Sequence, residues 1–92
     1  MEEKPELLSA PRLEYPPLLS QAGIEGSVVM QFVIDSMGRV EPGSIKVIRN
    51  PNPEFERPVR NVLSRALYRP ARVHGRAVRV LVQQSFNFTQ KR

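Results

Sequence analysis

The sequence predicts an α+β domain, a three-stranded antiparallel sheet with two amphipathic helices packed on one face, in the order α-β-β-α-β. Three observations carry that expectation. Apolar residues alternate with a period of two over 28–34 and again over 78–88. A stripe with helical spacing runs through Phe55, Val59, Val62, Leu63, Ala66 and Leu67. Between the first alternating run and the next strand stands Asp35-Ser36-Met37-Gly38, a turn in which the Asp side chain meets its own backbone and Gly supplies a positive φ.

Residues 1–14 are polar, proline-bearing and aperiodic, and read as a tether or linker ahead of a domain over 15–90. Tyr15-Pro16-Pro17 then fixes the backbone and opens a short helix through Leu18, Leu19 and Ala22, stopped by Gly23. The first strand, 26–35, puts Val28, Met30, Phe32 and Ile34 on one face. The return strand, 39–49, is interrupted by Pro42-Gly43, as a bulge or short excursion, because proline cannot donate to a ladder. The long helix has Asn52 as N-cap and Pro53 behind it, and runs to about Arg69, where Pro70 ends it. Pro58 falls inside that helix and predicts an irregular first turn. Residues 71–76 read as a loop, and 77–88 as the longest strand, with Gln84 interrupting its apolar face.

At 92 residues this is one small domain, with little spare stability for a strained catalytic pocket. With no cysteine there is neither a disulfide scaffold nor a thiolate metal site. No apolar run approaches the ~20 residues that span a bilayer. The net charge of +5 is divided unevenly: residues 1–56 carry a net of −4, and residues 57–92 carry +9 with no acid at all. Arg57, Arg60, Arg65, Arg69, Arg72, Arg76 and Arg79 invite a nucleic-acid reading. However, Phe86 and Phe88 share the core stripe with Val78 and Val80, and no aromatic-rich strand motif of the RNA-binding type is present. The basic surface therefore reads as a solvated helix face, with no nucleic-acid partner.

No enzyme chemistry is legible. His74, the one histidine, sits in the predicted loop with no Ser or Cys nucleophile motif nearby. Glu54 and Glu56 suit a helix start, and Asp35 belongs to a turn. No carboxylates form an acid/base couple, no cluster has metal-ligand spacing, and no glycine motif cradles phosphate, so neither metal nor cofactor is expected. What remains is the backbone. In a three-stranded sheet the last strand has a free edge, which offers unpaired N–H and C=O groups to an extended chain.

The ordered set Tyr15-Pro16, Gly23-Ile24-Glu25-Gly26-Ser27-Val28, Phe32-Val33-Ile34-Asp35, Gly38-Arg39-Val40, Phe55-Glu56 with Val59 and Asn61, then Tyr68-Arg69-Pro70 and Gly75, resembles the TonB C-terminal domain family over about 12–88. The resemblance implies a periplasmic binding domain of an energy transducer. Such a transducer is anchored in the inner membrane by an N-terminal helix and works with ExbB and ExbD through parts absent from this chain. It couples proton-gradient energy to import by pairing with the TonB box of outer-membrane transporters. The resemblance places the box beside the last strand, here Val78, Arg79, Val80, Leu81, Val82, Gln83, Gln84, Ser85, Phe86 and Asn87, and near the segment Arg12, Leu13, Glu14 and Tyr15. It also allows a strand-swapped homodimer. The alternative is the same fold used as a structural subunit or a TolA-like envelope linker.

Overall fold

In the computed structural model, which describes residues 3–90, the sheet has the order β3-β2-β7. Strand β2 (Gly26–Ile34) lies in the middle, with β3 (Lys46–Arg49) on one side and β7 (Val80–Phe88) on the other, both antiparallel. Val28, Met30, Phe32 and Ile34 are fully or almost fully buried on the inner face, as the alternation requires. Two helices cover that face. Helix α1 (Pro17–Gln21) contributes Leu19, and α2 (Glu56–Arg65) contributes Val59, Val62 and Leu63 to one continuous core. The α+β class and the three-stranded sheet are as the sequence predicts.

The β2–β3 turn is built as expected. Asp35 Oδ1 accepts from the Met37 and Arg39 amides at 2.9 and 2.9 Å, and the Asp35 carbonyl accepts from the Gly38 amide at 3.0 Å. The return strand is shorter than predicted, because Pro42–Ser44 forms a 3-10 turn and only Lys46–Arg49 pairs as a regular strand. Asn52 does cap, accepting from the Glu54 amide, but what it caps is a 3-10 turn, Pro53–Phe55. Helix α2 therefore begins only at Glu56, which places Pro58 in its first turn. There an amide would have no helical partner, so the proline costs nothing.

Four further differences concern long-range pairing. Helix α2 ends at Arg65, not Arg69, since Ala66 is extended (ψ 143°) and Leu67–Arg69 form strand β4. Tyr68 is buried at 7% exposure and its amide donates to the Gly38 carbonyl at 2.8 Å, contacts that a continued helix could not make. Within the segment read as a tether, Glu6–Ser9 forms β1 and pairs antiparallel with β4, although all four residues are exposed. Residues 71–76 are not a loop. Strands β5 (Ala71–Val73) and β6 (Arg76–Val78) make a hairpin around His74-Gly75, both at positive φ (53° and 75°), the signature of a tight two-residue turn. Finally, the long last strand is broken at Arg79. Val78 pairs with Ala71, whereas Val80 pairs with Ile34, so the chain changes partners between them.

Candidate functional site: the edge of the last strand

Both outer strands of the sheet have an edge, and the two differ. Strand β3 is four residues long, begins with Lys46, ends with Arg49 and carries a register shift against β2, all features that blunt an edge. Strand β7 is nine residues long and pairs with β2 in unbroken register from Gly26↔Phe88 to Ile34↔Val80. Among the described residues no strand pairs with its other side.

The bonding pattern decides which β7 residues face that open side. The Val33 amide donates to Ser44 Oγ at 2.9 Å, and the Val33 carbonyl accepts from the Glu41 amide at 2.9 Å. Val33 thus turns its backbone away from β7, so its cross-strand partner Leu81 must turn its own backbone outward. By alternation Leu81, Gln83, Ser85 and Asn87 present N–H and C=O groups to the open edge, while Val80, Val82, Gln84 and Phe86 bond to β2. Side chains follow the same division: Leu81, Gln83, Ser85 and Asn87 are exposed on the outer face of the sheet, and Phe86 is buried. Gln84, the polar interruption of the inner stripe, receives the Tyr68 hydroxyl at 3.2 Å, which explains its place there. Burial raises the Tyr68 phenol above its ordinary range.

Of the other expected residues, Val78 lies in the β5–β6 hairpin and Arg79 at the junction before β7. Arg79 makes a two-point contact with Glu41, Nε to Oε2 at 2.6 Å and Nη2 to Oε1 at 2.8 Å. This pins the start of the edge to the β2–β3 connection. The hydrogen bond from Arg79, helped by its charge, holds the Glu41 carboxyl below its usual range. A carboxyl depressed in the fold stabilises the protein above its unfolded pKa, about 4.3, and that contribution fades as pH falls through the lower folded value. Glu41→Gln should therefore melt below the native chain at pH 6, and the gap should shrink as pH falls below about 4.3 in thermal denaturation.

The segment 12–15 divides by side. Leu13 and Tyr15 pack against the core, while Arg12 and Glu14 are exposed. The Tyr15 ring meets Phe88 edge-on at 5.6 Å and Phe55 at 6.2 Å, and its hydroxyl donates to the Ile24 carbonyl. Desolvation, with the nearby Glu25 carboxylate, raises the Tyr15 phenol. The segment is thus joined to the end of β7 through Tyr15 and Phe88. An open groove between Glu14 and Pro16, the 3-10 turn at Pro53, and Arg57 and Asn61 of α2 lies beside it. Among the described residues no group of three or more His, Cys, Asp or Glu side chains is placed to hold a metal ion.

The model of the Gram-negative bacterial TonB protein C-terminal family matches residues 11–89. The chain belongs to the TonB C-terminal family. That family consists of transport energy transducers and is not known for enzymes. The solution NMR structure of the Pseudomonas aeruginosa TonB C-terminal domain is similar to this chain, with a TM-score of 0.78 and 29% identity, over 96% of this chain and 88% of that one. No curated protein matches. The β-β-α-β order of the sheet and α2 is therefore a TonB-type arrangement. Among the described residues no helix is long and apolar enough to cross a membrane.

Proposed function

We propose that this TonB-type domain grips an extended peptide by adding it as a fourth strand at the free edge of β7. The observation that carries the reading is the long, unbroken outer side of β7, whose Leu81, Gln83, Ser85 and Asn87 backbones have no strand partner among the described residues. Strand addition satisfies such groups and gives affinity through the main chain. In this reading the peptide is the TonB box of an outer-membrane transporter, and the domain works in the periplasm. The reading also includes an N-terminal anchor in the inner membrane and contacts with ExbB and ExbD. The span 78–87 forms the binding strand and its approach. Arg12, Leu13, Glu14 and Tyr15 flank its end, with exposed Arg12 and Glu14 selecting among peptides.

The test is an isotope-labelled domain titrated with a TonB-box peptide. Amide shifts should concentrate on 80–87 and 12–15. Ser85→Pro removes an outward donor and adds a ring where the ligand sits, and should weaken binding tenfold or more while the fold is kept, since an edge tolerates proline. Gln83→Ala should change binding less than threefold. Shifts confined to α2, or none at millimolar peptide, would sink the proposal in favour of a structural role for the fold.

A further inference from the structure

The molecule has a second sheet edge, and it is already occupied. The Tyr68 amide points to Gly38, so the flanking Leu67 and Arg69 turn their backbone groups to the other side, where β1 lies. The same edge continues to Arg72, which exchanges two backbone bonds with Glu3, at 3.1 and 3.2 Å. The two strands of this pair are held very differently. Strand β4 is fixed: Tyr68 is in the core, its amide is bonded to the β2–β3 turn, and Arg39 Nη1 reaches the neighbouring Ala66 carbonyl at 3.2 Å. Strand β1 is not. All four of its residues are exposed, its register breaks between Leu7 and Ser9, and Leu13 is the first of the described residues packed against the core. Its ion pair, Glu6 to Arg69 Nη1 at 2.9 Å, leaves both side chains more than half exposed (63% and 58%), where such pairs contribute little.

We propose that the outer edge of β4 is a second strand-acceptor site, filled in cis by Glu6–Ser9, that takes an acidic extended peptide in trans once β1 is stripped. This goes beyond the TonB-box reading and does not depend on it. The edge is rigid and the occupant is loose, so the site opens while the three-stranded sheet stays folded. The occupant's chemistry follows from charge. Arg69 and Arg72 lie on this edge, in a region of the chain with no acid, and the segment now seated there brings Glu3 and Glu6. A tether pulled from its N-terminal end would undo Glu3–Arg72 first and β1 next, before any core contact.

The probe is a synthetic peptide with the sequence of residues 3–10, titrated into the isotope-labelled 92-residue chain. A cis strand acts at an effective concentration of about millimolar, so the peptide must compete at that level with the native chain. Glu6→Lys, which sets a like charge beside Arg69, should let the peptide bind at least tenfold more tightly. Shifts should fall on Leu67, Arg69 and Arg72 while 80–87 stay silent. A peptide with both acids changed to Lys should bind at least tenfold more weakly. Amide exchange of the native chain needs no variant: Glu6–Ser9 amides should exchange at least 100-fold faster than those of β2. Exchange of β1 as slow as that of β2 would overturn the proposal. So would equal peptide affinity for the native and Glu6→Lys chains, shifts on β7 instead of β4, or assembly of the variant into dimers that excludes the peptide.

Discussion

Phe55→Ala should lower the free energy of unfolding by about 3–5 kcal/mol, the range for removing a buried phenylalanine ring. Phe55 is fully buried at the end of the 3-10 turn that leads into α2. Its ring stacks on Phe88 at a centroid distance of 4.3 Å and an interplanar angle of 16°, and Tyr15 meets it edge-on. One side chain thus ties the start of the long helix to the end of β7 and to the segment before α1. Gly26 lies against the same ring: a Cβ there would come within 3.2 Å of it and 2.7 Å of Pro51. The walls around the ring are backbone and other rings, which relax poorly, so the cavity should persist and the loss should fall toward the upper part of the range. Urea melts should show a lower midpoint at an unchanged slope. A loss under about 1 kcal/mol would mean that the ring is not seated between Phe88 and Tyr15.

The residues that could be read correctly from sequence are those whose environment is set by near neighbours. Alternation over 28–34 is a local pattern, and β2 follows it. Asp35 to Gly38 carries its own turn chemistry, and the hydrogen bonds of Asp35 Oδ1 confirm it. Where the reading failed, a distant partner decided. Ala66 and Leu67 continue the helical stripe of α2, yet the backbone becomes extended there, because Tyr68 is captured by Gly38 on one side and Gln84 on the other. Glu6–Ser9 has no apolar face to announce a strand, and its partner β4 had itself been read as helix. His74 gave no hint of a turn residue, since a histidine at positive φ is set by the pairing of β5 with β6. The break at Arg79 is invisible for the same reason: Val78 and Val80 are identical in type and differ only in which strand lies beside them. The candidate site was legible to a similar depth. Counting strands finds the edge, but which four backbones of β7 face outward depends on Val33 and its bonds to Ser44 and Glu41.

Gly38→Ala should cost about 3–5 kcal/mol, far more than one methyl group at a turn suggests, because strain and collision add. Gly38 has φ +88°, a conformation that costs a residue with a Cβ about 1–2 kcal/mol. The added carbon would also lie 2.0 Å from the Tyr68 carbonyl oxygen and 3.1 Å from its carbonyl carbon. Those atoms are backbone of a strand whose side chain is buried, so they cannot swing aside as the tip of a flexible side chain would. The turn must instead lift away from β4. That breaks the bond from the Tyr68 amide to the Gly38 carbonyl, worth about 0.5–1.5 kcal/mol, and draws Arg39 off the Ala66 carbonyl. Gly43→Ala is the control, since nothing lies within 4 Å of the carbon it would add, and it should change stability by less than about 0.5 kcal/mol. Denaturant melts of the two variants side by side separate the causes. A large loss at Gly38 alone supports the close seating of the turn on β4. A loss at Gly38 under about 1 kcal/mol would show that the turn rides free of β4, and the rigid second edge would then lose its support.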